Sequence, residues 1–346
     1  MPIVRKQLDA KVNKNDEFYT LYETIEKELV AYGEHFKDKI VYCNCDDHLE
    51  SNFSKYFIDN FINLGLKKLI CTTYNPNENG RGTLYIYDGI IPYVSQLNSN
   101  GGYEKDDCIE LLKKSDIVVT NPPFSKFRNF IQTIVENGKD FIVVGTVTAV
   151  TYSDIFELYM CGKIKLGHSI KSGDITFQVP DKYPLNSKNG FIENGKKYLK
   201  VTGIRWWTNL NHGKINYFLE MDSLSKNKSD KCKYLKYYNY DAINIDNSKL
   251  IPYDYSGVMG VPITFIDKIN FEQFEVIGLG RGKNGLDIGT KPIEQEHLKQ
   301  YKTKGKGGVS YGTLYFVDDL GDVTVPYSRL LIRHKLQYDG DGNPII

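Results

Sequence analysis

The chain has 346 residues, 41% of them hydrophobic and 25% charged, and a formal net charge of +1. That is enough to bury a sizeable core in one large domain or two unequal ones, and no apolar run approaches the roughly 20 residues needed to cross a bilayer. The near-neutral balance does not point to a general polyanion binder, although local patches rather than net charge decide such binding.

The N-terminus, MPIVRKQLDAKVNKND, lacks the apolar core of a signal peptide, so a cytoplasmic location is expected. Six cysteines are scattered at 43, 45, 71, 108, 161 and 232. Cys43 and Cys45 alone do not make a zinc framework, and the thiols read as reduced. Residues 1–15 carry Arg5, Lys6, Lys11 and Lys14 with little apolar periodicity and read as a basic arm.

From about residue 20 to 165 helix and strand patterns alternate. LYETIEKELVAYGEHF reads as a helix and KIVYC (39–43) as a strand. SNFSKYFIDNFINLG follows as a helix, with Phe53, Phe57 and Phe61 at i+4 spacing and Gly65 as a stop. KKLICTTY (67–74) is a second strand, GTLYIYDG a further strand or hairpin arm, DDCIELLKKS a short helix and DIVVT (116–120) a buried strand. SKFRNFIQTIVENG reads as a helix capped by Ser125, DFIVVGTV (140–147) as a strand, and SDIFELYM as a helix with Ser153 at the cap. The alternation predicts an α/β fold with a mostly parallel sheet. Ligands of such sheets sit at the carboxyl ends of the strands, so the loops after Cys43, Tyr74, Thr120 and Val147 share the functional edge. Beyond about residue 165 the pattern turns to β-hairpin material and then to Lys-rich and Gly-rich segments. The expected divisions are an arm over 1–15, a catalytic domain over 16–220 and an irregular, β-containing second region over 221–346.

The loop Asn121-Pro-Pro-Phe124 follows a strand and precedes a helix. Two prolines fix it in an extended shape. Asn121 offers a side-chain carbonyl acceptor, the Pro122 carbonyl a second, and Phe124 a flat apolar face. Two rigid acceptors side by side suit one NH₂ group on a planar heterocycle such as adenine. Accepting both N–H bonds favours a tetrahedral nitrogen and exposes its lone pair to an electrophile such as a sulfonium methyl group. Such a transfer needs no metal, and positioning supplies most of the acceleration. Adenine inside a duplex must be flipped out to reach the loop.

Five stretches, DEFYT (16–20), VYCNCDD (41–47), LLKKSDIVVTNPPFSKFR (111–128), TNL (208–210) and GVMGVPITFIDKINFEQFEVI (257–277), resemble in the same order the EcoRI-type adenine-specific DNA methyltransferases. These are the modification enzymes of restriction–modification systems. The resemblance spans roughly residues 16 to 335 and is weakest at 75–103 and 278–325. It implies a Rossmann-like fold, S-adenosylmethionine as donor, N6-methyladenine in DNA as product and a C-terminal target-recognition region. Asn121, Pro122 and Phe124 match the catalytic motif, with Pro123 beside the substrate DNA. Phe18, Tyr19 and Thr20 match the segment that cups the methionine end of the cofactor. The first-strand loop, Cys43-Asn44-Cys45-Asp46-Asp47, lacks the glycines usual in methyltransferases, and Asp46 or Asp47 would take the cofactor's ammonium group. No acid follows the second strand before Glu78, which leaves Thr72, Thr73 or Tyr74 for the ribose. Gly102 stands where related enzymes often carry Asp, with Asp106 or Asp107 to compensate.

A double-stranded DNA partner, with a short and palindromic site in the resemblance's terms, requires basic side chains. Lys226, Lys228, Lys231, Lys233 and Lys236 form one cluster, Arg281, Lys283, Lys302, Lys304 and Lys306 a second, and Arg329, Arg333 and Lys335 a third. Arg128, Lys233, Arg281, Lys283 and Arg329 are the expected DNA contacts, with lysines suited to phosphates and arginines to guanine edges. Each cluster alone reads more simply as a solvated face. Trp206 and Trp207 are expected in the core. The histidines show no metal spacing, and GLGRGKNG (278–285) lacks both the spacing and the strand–helix context of a phosphate loop. Methylation of RNA adenine or of a protein amide, and a catalytically silent DNA-binding module, are the competing readings. A partner endonuclease belongs to the favoured one.

Overall fold

The computed structural model describes residues 18–345 except 78, 170–173, 186–187, 214–216, 230–233, 304–308 and 319. The basic arm, Glu78, Lys231, Cys232, Lys233, Lys304 and Lys306 lie outside the described residues. Two compact units emerge, one of residues up to 149 with 157–214, the other of 150–156 with 215–346.

In the first unit the elements run β1 (Tyr19–Thr20), α1 (Tyr22–Leu29), β2 (Ile40–Cys43), α2 (Asn52–Asp59), β3 (Lys68–Thr73), β4 (Thr83–Tyr87), β5 (Tyr93–Gln96), α3 (Asp106–Lys114), β6 (Ile117–Thr120), α4 (Phe127–Glu136) and β7 (Asp140–Thr146). After α5 (Ser153–Met160) come β8 (Lys165–Leu166), β9 (Asp174–Val179), β10 (Gly190–Glu193), β11 (Lys196–Thr202) and β12 (Ile204–Thr208). Eight strands form one sheet in the order β5-β4-β3-β2-β6-β7-β12-β8. β3, β2, β6 and β7 pair with one another in parallel, and the four outer pairings of the sheet are antiparallel. The sheet is therefore mixed, not mostly parallel. Its four parallel strands still bring the loops after β2, β3 and β6 to one edge. A second sheet, β1-β9-β11-β10, pairs Tyr19 with Gln178 and Thr20 with Phe177.

The sheet is covered on both faces, and the two tryptophans of β12 show how. Successive strand residues point to opposite sides. Trp206 meets Phe53 of α2 at 6.0 Å between ring centroids, while Trp207 meets Phe127 of α4 at 5.9 Å. Both indoles are buried, as expected. In α4 Phe127, Phe130, Ile131 and Ile134 recur at i, i+3, i+4 and i+7, which makes one buried stripe. Burial of each such side chain contributes about 1.5–3 kcal/mol.

Several expected element ends shift. The first helix stops at Leu29 and tightens to a 3-10 helix over Val30–Phe36, where Val30 and Gly33 are weak helix formers. The second stops at Asp59; beyond Asn60 the Phe61 N–H bonds three residues back, to the Ile58 carbonyl at 3.3 Å, instead of four. Ser125 does not cap α4. It sits in a 3-10 turn over Phe124–Lys126, and Lys126 occupies the cap position without a side-chain bond. Ser153 is the first residue of α5 and not its cap.

In the second unit α6 (Leu224–Ser229), β13 (Ala242–Asn244), β14 (Val258–Pro262), β15 (Phe274–Leu279), α7 (Gly282–Asp287), α8 (Gln295–Thr303), β16 (Phe316–Val317), β17 (Val323–Thr324) and β18 (Arg329–His334) follow in order. A four-stranded sheet has the order β13-β14-β18-β15. Strand β15 runs directly into α7, so the strand–helix context denied to GLGRGKNG is present, although the phosphate-loop spacing is not. Among the described residues no helix is long and apolar enough to cross a membrane.

Gly145 in β7 is required by close approach, because a Cβ there would lie 2.1 Å from the Phe127 ring. Gly145→Ala is expected to destabilise the chain by about 1–3 kcal/mol through overpacking. Urea denaturation checks this, and an unchanged midpoint would contradict the packing described.

Candidate active site

The loop after β6 starts from a side chain that faces inward. Thr120 is fully buried, and its hydroxyl donates to Asp46 Oδ2 at 2.6 Å. The other oxygen of Asp46 accepts from Ser51 at 2.6 Å. Ser51 in turn caps α2 by accepting from the Phe53 N–H at 3.1 Å. One carboxyl thus fastens the Asn121-Pro-Pro-Phe124 loop to the first-strand loop and the start of α2. Burial pushes the Asp46 carboxyl up to about 6; the Ser51 and Thr120 hydroxyls pull it down and the nearby Asp47 adds to the rise.

Asn121 is next. Its Nδ2 donates to the Phe18 carbonyl at 2.7 Å, which fixes the amide's orientation. Its Oδ1 is buried and has no hydrogen-bond partner among the described residues. A buried acceptor without a donor costs about 1–3 kcal/mol, a cost that an incoming N–H removes. The Pro123 carbonyl closes the turn by accepting from the Lys126 N–H at 2.9 Å. Phe124 is half-buried and stacks on Phe18 with centroids 5.4 Å apart and planes 19° apart. Phe177 of β9 closes on the edges of both rings, at 5.6 Å from Phe18 and 6.2 Å from Phe124. Tyr183 adds a further edge to Phe18 at 5.9 Å. Lys126 pairs with Glu104 at 3.7 Å and lies over the Tyr103 ring.

The residues expected at the cofactor divide by exposure. Cys43 and Thr72 are buried, and the Thr72 hydroxyl is engaged with Tyr42 at 2.9 Å. Asn44 is also buried. Asp47 and Thr73 reach the surface side by side, with a 3.2 Å hydrogen bond between them. Asp47 also accepts the Leu49 N–H at 2.7 Å, and His48 stacks on Tyr85 with centroids 4.7 Å apart. In β1 the Thr20 hydroxyl is a second buried oxygen without a partner, while the Thr20 carbonyl accepts from Asn52 at 2.8 Å. Among the described residues this edge therefore holds unmatched polar atoms at Asn121 Oδ1, Thr20 Oγ1 and His48 Nδ1, beside the Asp47 carboxylate. That donor and acceptor set suits a planar amine together with a zwitterionic, hydroxyl-bearing cofactor. Asp107 is otherwise engaged. It accepts from the Asn98, Ser99 and Cys108 N–H groups and the Ser99 hydroxyl, which holds its pKa below the ordinary carboxylate value despite partial burial. Asp106 is exposed in the first turn of α3.

Among the expected DNA contacts, Arg128, Arg281 and Lys283 are exposed. Arg329 is not. It is buried and donates to Asn244 at 2.9 Å, Asp246 at 3.0 Å and the Tyr327 carbonyl at 3.3 Å. Its guanidinium braces the second unit's sheet from within, which corrects the expectation of a DNA contact. Arg333 pairs with Glu275 at 2.7 Å, and Lys226 with Asp222 at 2.5 Å. Sequence reasoning missed Thr120, Ser51, Phe177 and Tyr183. Only Phe177 carried a signal, the alternating burial of DITFQV in β9. Among the described residues no three His, Cys, Asp or Glu side chains are placed to hold a metal ion.

A carboxyl held near 6 in the fold, against an ordinary value of 3.8, takes up a proton on folding. Its contribution to stability is present below about pH 4 and lost as pH rises through about 6. Asp46→Asn is expected to remove this slope. The wild type should lose of order 2–3 kcal/mol relative to the variant between about pH 4 and 7. Urea unfolding across that range measures the difference, and parallel profiles would contradict it.

The family described as adenine-specific methyltransferase EcoRI matches residues 7–88 and 86–335. The chain is 42% identical over 301 residues to the type II methyltransferase M.EcoRI of Escherichia coli, covering 81% of this chain and 90% of that one. It is 39% identical over 271 residues to M.MgeORF184P of Mycoplasma genitalium, covering 78% and 84%. It is 41% identical over 271 residues to M.MpnI of Mycoplasma pneumoniae, covering 78% and 83%. Both are named type II methyltransferases. No solved structure matches the chain significantly. With both the matched residues and the relatives covering most of its length, the chain belongs to the EcoRI-type family of adenine-specific methyltransferases.

Proposed function

We propose that the chain methylates the N6 amine of an adenine flipped out of a short, specific sequence in double-stranded DNA, as the modification enzyme of a restriction–modification system. The observation that carries the reading is the Asn121 amide: one end is tied to the Phe18 carbonyl, and the other is a buried acceptor with no donor. An adenine amine supplies that donor. Asn121 Oδ1 and the Pro122 carbonyl take its two N–H bonds, and the base stacks on the face of Phe124 away from Phe18. S-adenosylmethionine, when bound, supplies an electrophilic sulfonium methyl group. Phe18, Thr20, Asp47 and Thr73 are the residues proposed to hold it, with the Thr20 hydroxyl and the Asp47 carboxylate toward its amino-acid end. Asp46 holds the two loops together through Thr120 and Ser51. The strand arrangement of the first unit supports a Rossmann-like methyltransferase fold, and the second unit is proposed as the target-recognition region. Lys283 and Arg128 suit phosphate contacts, and a cytoplasmic location follows from a DNA substrate.

An acceptor buried without a donor costs stability unless a substrate uses it. That favours an active enzyme over a silent binding module of the same fold.

Asn121→Ala is expected to abolish methyl transfer while cofactor binding, measured by calorimetry, stays largely intact; near-normal transfer would overturn the assignment. Phe124→Ala is expected to weaken transfer by a stacking loss of about 1–3 kcal/mol. Single-turnover rates on a duplex substrate test it, and an unchanged rate would mean that the base is held otherwise.

A further inference from the structure

The second unit contains a cavity of about 270 Å³ whose lining includes Arg281, Tyr301, Ser310, Thr313, Tyr327 and Arg329. Among the described residues no acidic side chain lines it. Its two guanidinium groups differ in kind. Arg329 is buried and neutralised by Asp246. Arg281 is exposed and makes a single side-chain hydrogen bond among the described residues, from Nη1 to Ser328 Oγ at 3.0 Å. Its remaining donors have no partner among the described residues.

The backbone that carries Arg281 is held firmly. The Arg281 N–H donates to the Leu279 carbonyl at 2.8 Å, and the Arg281 carbonyl accepts from Gly285 at 3.1 Å. Gly280 on one side bonds to Arg329 and to Leu314, at 3.0 and 3.1 Å. Gly285 seats directly on Gly312, where a Cβ would lie 1.9 Å from the Gly312 carbonyl oxygen. Gly285 thus serves backbone-to-backbone packing, and Gly280 makes room for the Leu314 side chain. The result is a planar, always-charged fork whose root and one nitrogen are fixed, in a pocket without counter-charge.

We infer that this cavity is a sequence-reading pocket and that Arg281, steadied by Ser328, is a specificity-determining residue that takes the N7 and O6 edge of a guanine in the target site. This rests on the proposed DNA methyltransferase function and names one base that it reads. A flexible surface lysine suits a phosphate; a guanidinium with a fixed plane suits two acceptors in one plane. Lys283, exposed two residues on, suits the adjoining phosphate.

The test begins with the motif that the wild-type chain methylates, mapped on genomic DNA. Duplexes carrying that motif are then made with each guanine in turn replaced by 7-deazaguanine, and kcat/KM is measured for wild type, Arg281→Ala and Arg281→Lys. The wild type should lose activity at one guanine position. Arg281→Ala should lose roughly ten- to a hundredfold on the unmodified duplex and become indifferent to 7-deazaguanine at that same position. Arg281→Lys, which keeps the charge but not the fork, should resemble Arg281→Ala. If circular dichroism shows Arg281→Ala unfolded, Ser328→Ala serves instead, with a smaller loss confined to the same guanine. A uniform loss on all DNA, with a shallower salt dependence and intact sensitivity to 7-deazaguanine, would make Arg281 a phosphate contact and overturn the inference. So would an unchanged rate or a motif without guanine. A folded wild-type chain that methylates no DNA overturns the proposed function as well, so the two failures are distinct.

Discussion

The hydrogen bond from the Asn121 amide to the Phe18 carbonyl is the contact on which the site depends. A carboxamide has a donor end and an acceptor end, and only the acceptor end suits an amine. Tying Nδ2 to a backbone oxygen leaves the acceptor end as the one on offer, which is what the proposed role requires. The Phe18 carbonyl is itself placed because the residues after it, Tyr19 and Thr20, pair with β9. A two-residue strand near the start of the chain therefore sets the chemistry of a loop at residue 121. The arrangement leaves Asn121 Oδ1 without a donor among the described residues, a cost that the proposed amine would remove.

The rest of the first unit keeps that loop in place. Four parallel strands bring the loops after β2, β3 and β6 to one edge, and Asp46 joins two of them through hydroxyls on each side. The antiparallel additions extend the sheet without disturbing the edge. Beyond the loop, α4 begins at Phe127, whose ring lies against Gly145 of the neighbouring strand. The catalytic loop is thus anchored before it by Thr120 and after it by Phe127, and the prolines between leave little freedom.

What could be read from the sequence was local. DIVVT-Asn-Pro-Pro-Phe is a strand, a rigid loop and a helix start in consecutive residues, and the structure places them as strand, loop and helix. The choice between Asp46 and Asp47 was not legible, since neighbouring acids differ only in which way each points. Burial separates them, Asp46 inward to two hydroxyls and Asp47 outward beside Thr73. Phe177 joins the aromatic wall through the pairing of β9 with β1, and Tyr183 from the turn after β9, contacts between distant parts of the chain. The arginines make the same point. Arg281 and Arg329 look alike in sequence, and only the partners Asn244 and Asp246 reveal that Arg329 is committed inside its sheet. Ser125 misled because a serine before an apolar run resembles a cap, whereas Pro123 draws the chain into a 3-10 turn first.

The central claim is that the Asn121 loop delivers a methyl group to adenine N6 in DNA. Single-molecule sequencing of DNA from cells that express the chain, scored for modified bases, tests it most directly. The account predicts N6-methyladenine at one short motif and nowhere else. Unmodified DNA from well-expressed, folded protein would contradict it.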